Sequence, residues 1–125
     1  MYHGILIDQE FADPSFPKTF NVFAEKQSGG WKIYGIEIKD LEISKAINET
    51  RTAMKKGKWY CHFYKKDRMW VVFKDATFQV RPDKSTWKAI IEYGQKLDIP
   101  EEQLDFWPNR FQDEVHYFAK EEFRK

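Results

Sequence analysis

Cysteine is almost absent from this chain. Cys61 is the only one in 125 residues, so no disulfide can close within it, and a zinc site built on several thiolates is excluded by count. The same scarcity favours a reducing compartment. Long hydrophobic runs are missing as well: no stretch approaches the roughly 20 apolar residues that a membrane helix needs. The amino terminus, MYHGILIDQEF, lacks the basic region and apolar stretch of a secretory signal. The expectation is a soluble, cytoplasmic protein. Neither sign of charge is in excess, because 21 Lys and Arg face 20 Asp and Glu for a net charge of +1. A dedicated duplex-DNA binder draws most of its affinity from phosphate neutralisation and carries a marked basic excess, so that class is disfavoured. With 5 prolines and 6 glycines, no Pro/Gly/Ser-rich linker divides the chain, and no repeat or low-complexity tract interrupts it. Residues 1–125 read as one domain.

Apolar side chains are plentiful, at 42% of the residues, and a chain of this length buries roughly two-thirds of its unfolded surface. Gly4 to Ile7 reads as a short strand, and Asp13-Pro14 and Phe16-Pro17 mark the following stretch as an ordered loop. Phe20 to Glu25 and Trp31 to Ile38, rich in aromatic and β-branched residues, flank Ser28-Gly29-Gly30 as a β-hairpin. From Asp40 to Lys56 the period changes: Ile43, Ala46, Ile47, Thr50, Ala53 and Met54 recur at helical spacing before Gly57. Lys58 to Tyr64, Arg68 to Phe73 and Thr77 to Arg81 then form a meander. After Pro82 a second helix carries Trp87, Ile90, Ile91, Gly94 and Leu97 on one face, and a short helical turn is expected at Pro100-Glu101-Glu102. A third helix from Asn109 to the end is predicted from Phe111, Val115, Phe118, Ala119 and Phe123. The order β-ββ-α-βββ-α-α belongs to the α+β class, a mainly antiparallel sheet with about three helices packed on one face.

Strand alternation and short turns set the faces of the meander. Pairing Tyr64 with Met69 and Lys74 with Thr77 puts Tyr60, His62, Tyr64, Met69, Val71, Phe73, Phe78 and Val80 on one face, nearly all apolar and expected to meet the helices. The opposite face holds Trp59, Cys61, Phe63, Trp70, Val72, Lys74, Gln79 and Arg81, where large aromatics mix with basic groups. Trp59, Phe63, Trp70, Lys74 and Arg81 are therefore the candidate binding residues. Ring faces stack on nucleobases while Lys74 and Arg81 meet phosphates, which suits single-stranded nucleic acid. An open aromatic face equally suits a protein partner or self-association into a homo-oligomer. If the loop bearing Phe11 and Phe16 lies over it, the same face becomes a second small core.

Signals for catalysis are weaker. His62 falls on the core face and reads as a hydrogen-bonded interior histidine. Cys61 is adjacent on the strand, so the two point to opposite sides and cannot act as thiolate and base. His116 lacks the HExxH spacing of a zinc helix, and Gly29-Gly30 lacks the pattern of a phosphate loop. No cofactor or metal site is expected. Asp8, Glu10 and Asp13, with His3 before them, form an acidic amino-terminal loop that could gather carboxylates. The sequence reading is a non-enzymatic binding or protein-interaction module working through the aromatic-basic face; its alternative is a small enzyme using His62 or the amino-terminal acidic loop.

Overall fold

A computed structural model describes residues 1–124. Its centre is a six-stranded sheet in the order β2-β3-β1-β4-β5-β6, in which β1 is Tyr2–Ile7, β2 Asn21–Ser28, β3 Trp31–Ile38, β4 Tyr60–Lys65, β5 Arg68–Phe73 and β6 Thr77–Val80. Every pairing is antiparallel. Three α-helices accompany it: α1 at Ile43–Ala53, α2 at Lys88–Lys96 and α3 at Glu114–Tyr117. The chain is thus α+β, built from two hairpin-linked groups of strands joined through β1. Gly29, with φ of 58°, closes the β2–β3 hairpin in a left-handed conformation that side chains resist.

The β4–β5 register is the one strand alternation demands, with Tyr64 opposite Met69 and His62 opposite Val71. In the next pair Val72 lies opposite Thr77 and Met69 opposite Val80, two residues away from the expected partnership of Lys74 and Thr77. A slip of two preserves the facing of every side chain because the strand period is two. Ile5, Tyr64, Met69, Val71 and Phe73 accordingly share one buried cluster, whereas Leu6, Cys61, Phe63 and Val72 belong to another.

Helical cover is divided between the two faces rather than gathered on one. Ala46, Ile47 and Met54 of α1 and its end pack with the Phe63 side, and Trp87, Ile90 and Ile99 of α2 and its flanks pack with the Tyr64 side. The α1 end is tied to the sheet by a reciprocal pair of bonds: Lys74 Nζ donates to the Arg51 carbonyl at 3.1 Å, and Arg51 Nε donates to the Lys74 carbonyl at 3.1 Å. A lysine ammonium on the last helical carbonyls satisfies acceptors that have no partner within the helix.

The carboxyl-terminal helix is much shorter than its apolar spacing predicts. It stops at Tyr117, Phe118 is extended (φ −101°, ψ 137°), and Val115 is 68% exposed while Asp113 and Glu114 are buried. Two tertiary demands override the periodic stripe. Glu114 turns inward to meet His3 and Tyr64, and the tail unwinds so that Phe123 bridges Ala24 and the Arg124 amide reaches the Phe23 carbonyl at 2.8 Å. Those last contacts cover part of the β2 edge, which would otherwise present unpaired backbone groups. Among the described residues no helix is long and apolar enough to cross a membrane.

Replacing Ile47 with Ala should cost roughly 2–5 kcal/mol as a buried large-to-small change, whereas Val115→Lys should stay within about 0.5 kcal/mol. Urea midpoints measure both; equal losses at the two positions would restore the longer helix.

Candidate functional site

Pairing between β1 and β4 runs only from His3–Tyr64 to Ile5–His62. Leu6 with Cys61 and Ile7 with Tyr60 would come next in register, but these pairs are not made. Beyond Ile7 the chain turns through Asp8–Glu10, and the segment after it pairs with the end of α1 instead: Phe11 bridges Met54, and the Lys55 amide donates to the Glu10 carbonyl at 2.8 Å. A cleft of about 460 Å³ lies where the strands part. Its floor includes Ile5, Glu10 and His62, and aromatic side chains from four separate segments wall it: Trp31, Trp59 with Tyr60, Phe106 with Trp107, and Tyr117. Trp31 and Trp107 stand at the mouth, 44% and 41% exposed, and Trp31 packs edgewise on Trp59 with ring centres 5.9 Å apart.

Glu10 is the unusual group. It is 1% exposed, and the one hydrogen bond to its carboxyl comes from the Ile7 amide, on Oε1 at 2.8 Å. No cation pairs with it among the described residues. Burial therefore dominates and holds the carboxyl protonated well above the usual range, against the smaller opposing pull of the Ile7 amide. Around it, burial raises the phenols of Tyr60 and Tyr117, the latter to about 12, and the charge of Asp105 raises them further. Acids and rings thus lie close enough to feel one another. Asp105 and Glu102 are exposed on the rim, and Lys58 is the single cationic side chain on the lining.

His62 sits in the same cleft, 4% exposed, and stacks on Tyr64 at 5.7 Å. Its Nε2 lies 2.6 Å from the Pro108 carbonyl, which can only accept, so Nε2 carries the proton and Nδ1 does not. Burial lowers its pKa from 6.5 to about 4, with the Pro108 bond and the Asp105 charge opposing. It is a neutral interior imidazole whose donor is engaged in holding the 106–108 wall. Tyr60 holds that region too, its hydroxyl donating to the Gln103 carbonyl. Gly94 of α2 allows Leu104 to come so close that a Cβ would lie 2.7 Å from Leu104 Cδ1. On the other side Tyr117 is placed by its neighbour Glu114, whose Oε2 lies 2.6 Å from His3 Nδ1 and accepts the Tyr64 hydroxyl at 2.5 Å.

The residues expected to form an aromatic-basic face are largely committed elsewhere. Phe63 is fully buried and Trp70 partly so, beneath α1 and the loop carrying Phe11, Phe16 and Phe20, so Phe63 offers no ring face to a ligand. The Trp70 indole nitrogen is buried without a hydrogen-bond partner among the described residues. Lys74 caps α1, and Arg81 is exposed beside Asp67 at 3.6 Å. Only Trp59 of the five lines the cleft. The acidic loop does not gather either: Asp8 accepts the Lys32 amide, Asp13 bonds Ser15, and His3 faces Glu37 and Glu114, leaving Glu10 alone in the cleft. Cys61 and His62 lie on opposite faces, and burial pushes the Cys61 thiol up, away from the nucleophilic thiolate. His116 is exposed. Among the described residues no group of three or more His, Cys, Asp or Glu side chains could hold a metal ion. A second depression of about 340 Å³, lined by Lys39, Glu42, Lys45 and Glu49, contains no buried ionisable group. No family model, curated protein or solved structure matches this chain.

Opposed pH dependences follow from the two buried groups. Glu10 binds its proton more tightly folded than unfolded, so its stabilisation is complete below about pH 4.5 and is lost as pH rises through its folded pKa. His62 has its pKa lowered on folding, so stability is lost as pH falls from 6.5 toward about 4, a total of roughly 3 kcal/mol. Urea midpoints measured across this range should show that Glu10→Gln flattens the alkaline limb, while His62→Gln flattens the acid one. Curves for Glu10→Gln that run parallel to the wild type at every pH would contradict the burial of an unpaired Glu10.

Proposed function

We propose that this protein binds a small molecule in the cleft between the parted ends of β1 and β4, with Glu10 as the polar anchor and the tryptophans as walls. The supporting observation is a fully buried carboxyl that has neither a cation nor a second hydrogen-bond donor, lining a concave, ring-walled space of ligand size. A buried acid with a strongly displaced pKa that lines a concave pocket is a mark of a functional site. A few convergent polar groups in a mainly aromatic pocket are also how small-ligand sites achieve orientation.

A binding role is favoured over catalysis by the state of the other groups. The His62 Nε2 proton is committed to Pro108, the Cys61 thiol that also lines the cleft is kept from the thiolate by burial, and the acidic loop brings only one carboxyl to the cleft floor. No nucleophile, base and orienting group converge. The reading of a non-enzymatic module is thus retained, with its site moved from the Phe63–Trp70 face to the cleft between the parted ends of β1 and β4.

A fragment set containing neutral, cationic and anionic compounds, followed by nitrogen–proton NMR, tests this. Binders should shift the indole signals of Trp31, Trp59 and Trp107 together and leave Trp70 and Trp87 unmoved. If no fragment of any charge class shifts those three, the cleft is not a ligand site.

A further inference from the structure

The lining of the cleft restricts what it accepts. Six aromatic side chains, Trp31, Trp59, Tyr60, Phe106, Trp107 and Tyr117, stand with three carboxyls, Glu10, Glu102 and Asp105, against the single ammonium of Lys58. Ring faces carry negative electrostatic potential and attract cations, the more so when water is excluded. Tyr117 already does this within the fold, with the Lys26 ammonium 4.3 Å from its ring centre. An anion would meet rings and acids, both repelling it. A primary ammonium has three donors to satisfy, and the buried floor supplies few acceptors. A fully alkylated ammonium has none and makes no such demand.

Resting on the reading of the cleft as a small-molecule site, we propose that its ligand carries an alkylated ammonium group, seated among Trp31, Trp59, Tyr60, Trp107 and Tyr117 with the Glu10 carboxyl as its counter-charge. Glu10 is buried without a cation of its own, and the ligand supplies one. The carboxyl that is protonated in the empty cleft then ionises, so each binding event releases a proton into solvent. Affinity therefore climbs with pH over the range in which the empty site is still protonated.

Choline and its uncharged carbon isostere, 3,3-dimethylbutan-1-ol, separate charge from shape. Titrated into the wild-type protein by calorimetry, choline should bind at least about tenfold more tightly than the isostere. Its measured enthalpy should vary with the ionisation enthalpy of the buffer, as proton release requires. Glu10→Gln, which keeps the shape and the bond to Ile7, should bring choline down to the level of the isostere. Equal binding of the two by the wild type overturns the ammonium proposal and leaves the cleft a ligand site. Failure of choline to bind while neutral or anionic fragments shift the tryptophan signals does the same. Absence of binding by every compound overturns both readings.

Discussion

Where β1 and β4 stop pairing, the Ile7 amide needs an acceptor that no strand provides, and Glu10 supplies it from three residues further along the chain. An unsatisfied buried amide costs about 1–3 kcal/mol, so that bond holds the turn closed and fixes the carboxyl inside. An ionised carboxylate there would incur a desolvation penalty far larger than one amide bond offsets. Neutralisation of Glu10 is the outcome that keeps both the strand end and the cleft intact. The parted strands, the trapped acid and the open volume are one arrangement, because a continuous β1–β4 ladder would leave no room for any of them.

The far wall depends on a segment with little regular structure. Residues between α2 and α3 hold position through bonds to the sheet, from His62 to the Pro108 carbonyl and from Tyr60 to the Gln103 carbonyl, and through bonds of their own in which Asp113 accepts from Arg110 and the Asn109 amide. Glu114 completes the attachment by taking both His3 and Tyr64. His3 is itself held between the rings of Phe23 and Phe111, with centres 4.3 and 4.4 Å away. Polar side chains of β1 and β4 thus position the aromatic groups that a ligand would meet, and the buried Tyr, His and Glu residues act on the cleft from behind it.

Sequence pattern revealed the sheet more fully than the site, for physical reasons. The strand period of two and the tight turn at Lys66-Asp67 dictated the β4–β5 register and set His62 opposite Cys61. A residue such as Ile47 declared its burial through helical spacing. The aromatic-basic face of Trp59, Phe63 and Trp70 was legible as a face, but alternation does not say what lies over it; α1 and the Phe11–Phe20 loop do. The carboxyl-terminal stripe misled because Glu114 gains two partners by turning inward, a gain invisible in the spacing of Phe111 and Val115. Glu10 carried the weakest signal of all. Nothing in Asp8-Gln9-Glu10 distinguishes the buried acid from the one that bonds the Lys32 amide, since the difference arises only when the strands part. Trp107, in a stretch with no period, gave a hint only through being a large aromatic where a loop needs none.

The protonation state of Glu10 is the quantity on which cleft, ligand and stability all converge. Carbon-detected NMR of the Glu10 side-chain carboxyl, followed across a pH titration of the ligand-free protein, reads it directly. Burial without a counter-cation predicts that this carboxyl stays protonated well above the ordinary carboxylate range while exposed acids such as Glu102 titrate normally. A Glu10 signal that ionises at or below the ordinary value of 4.5 would mean that the carboxyl is solvated or paired, and the cleft would lose its anchor.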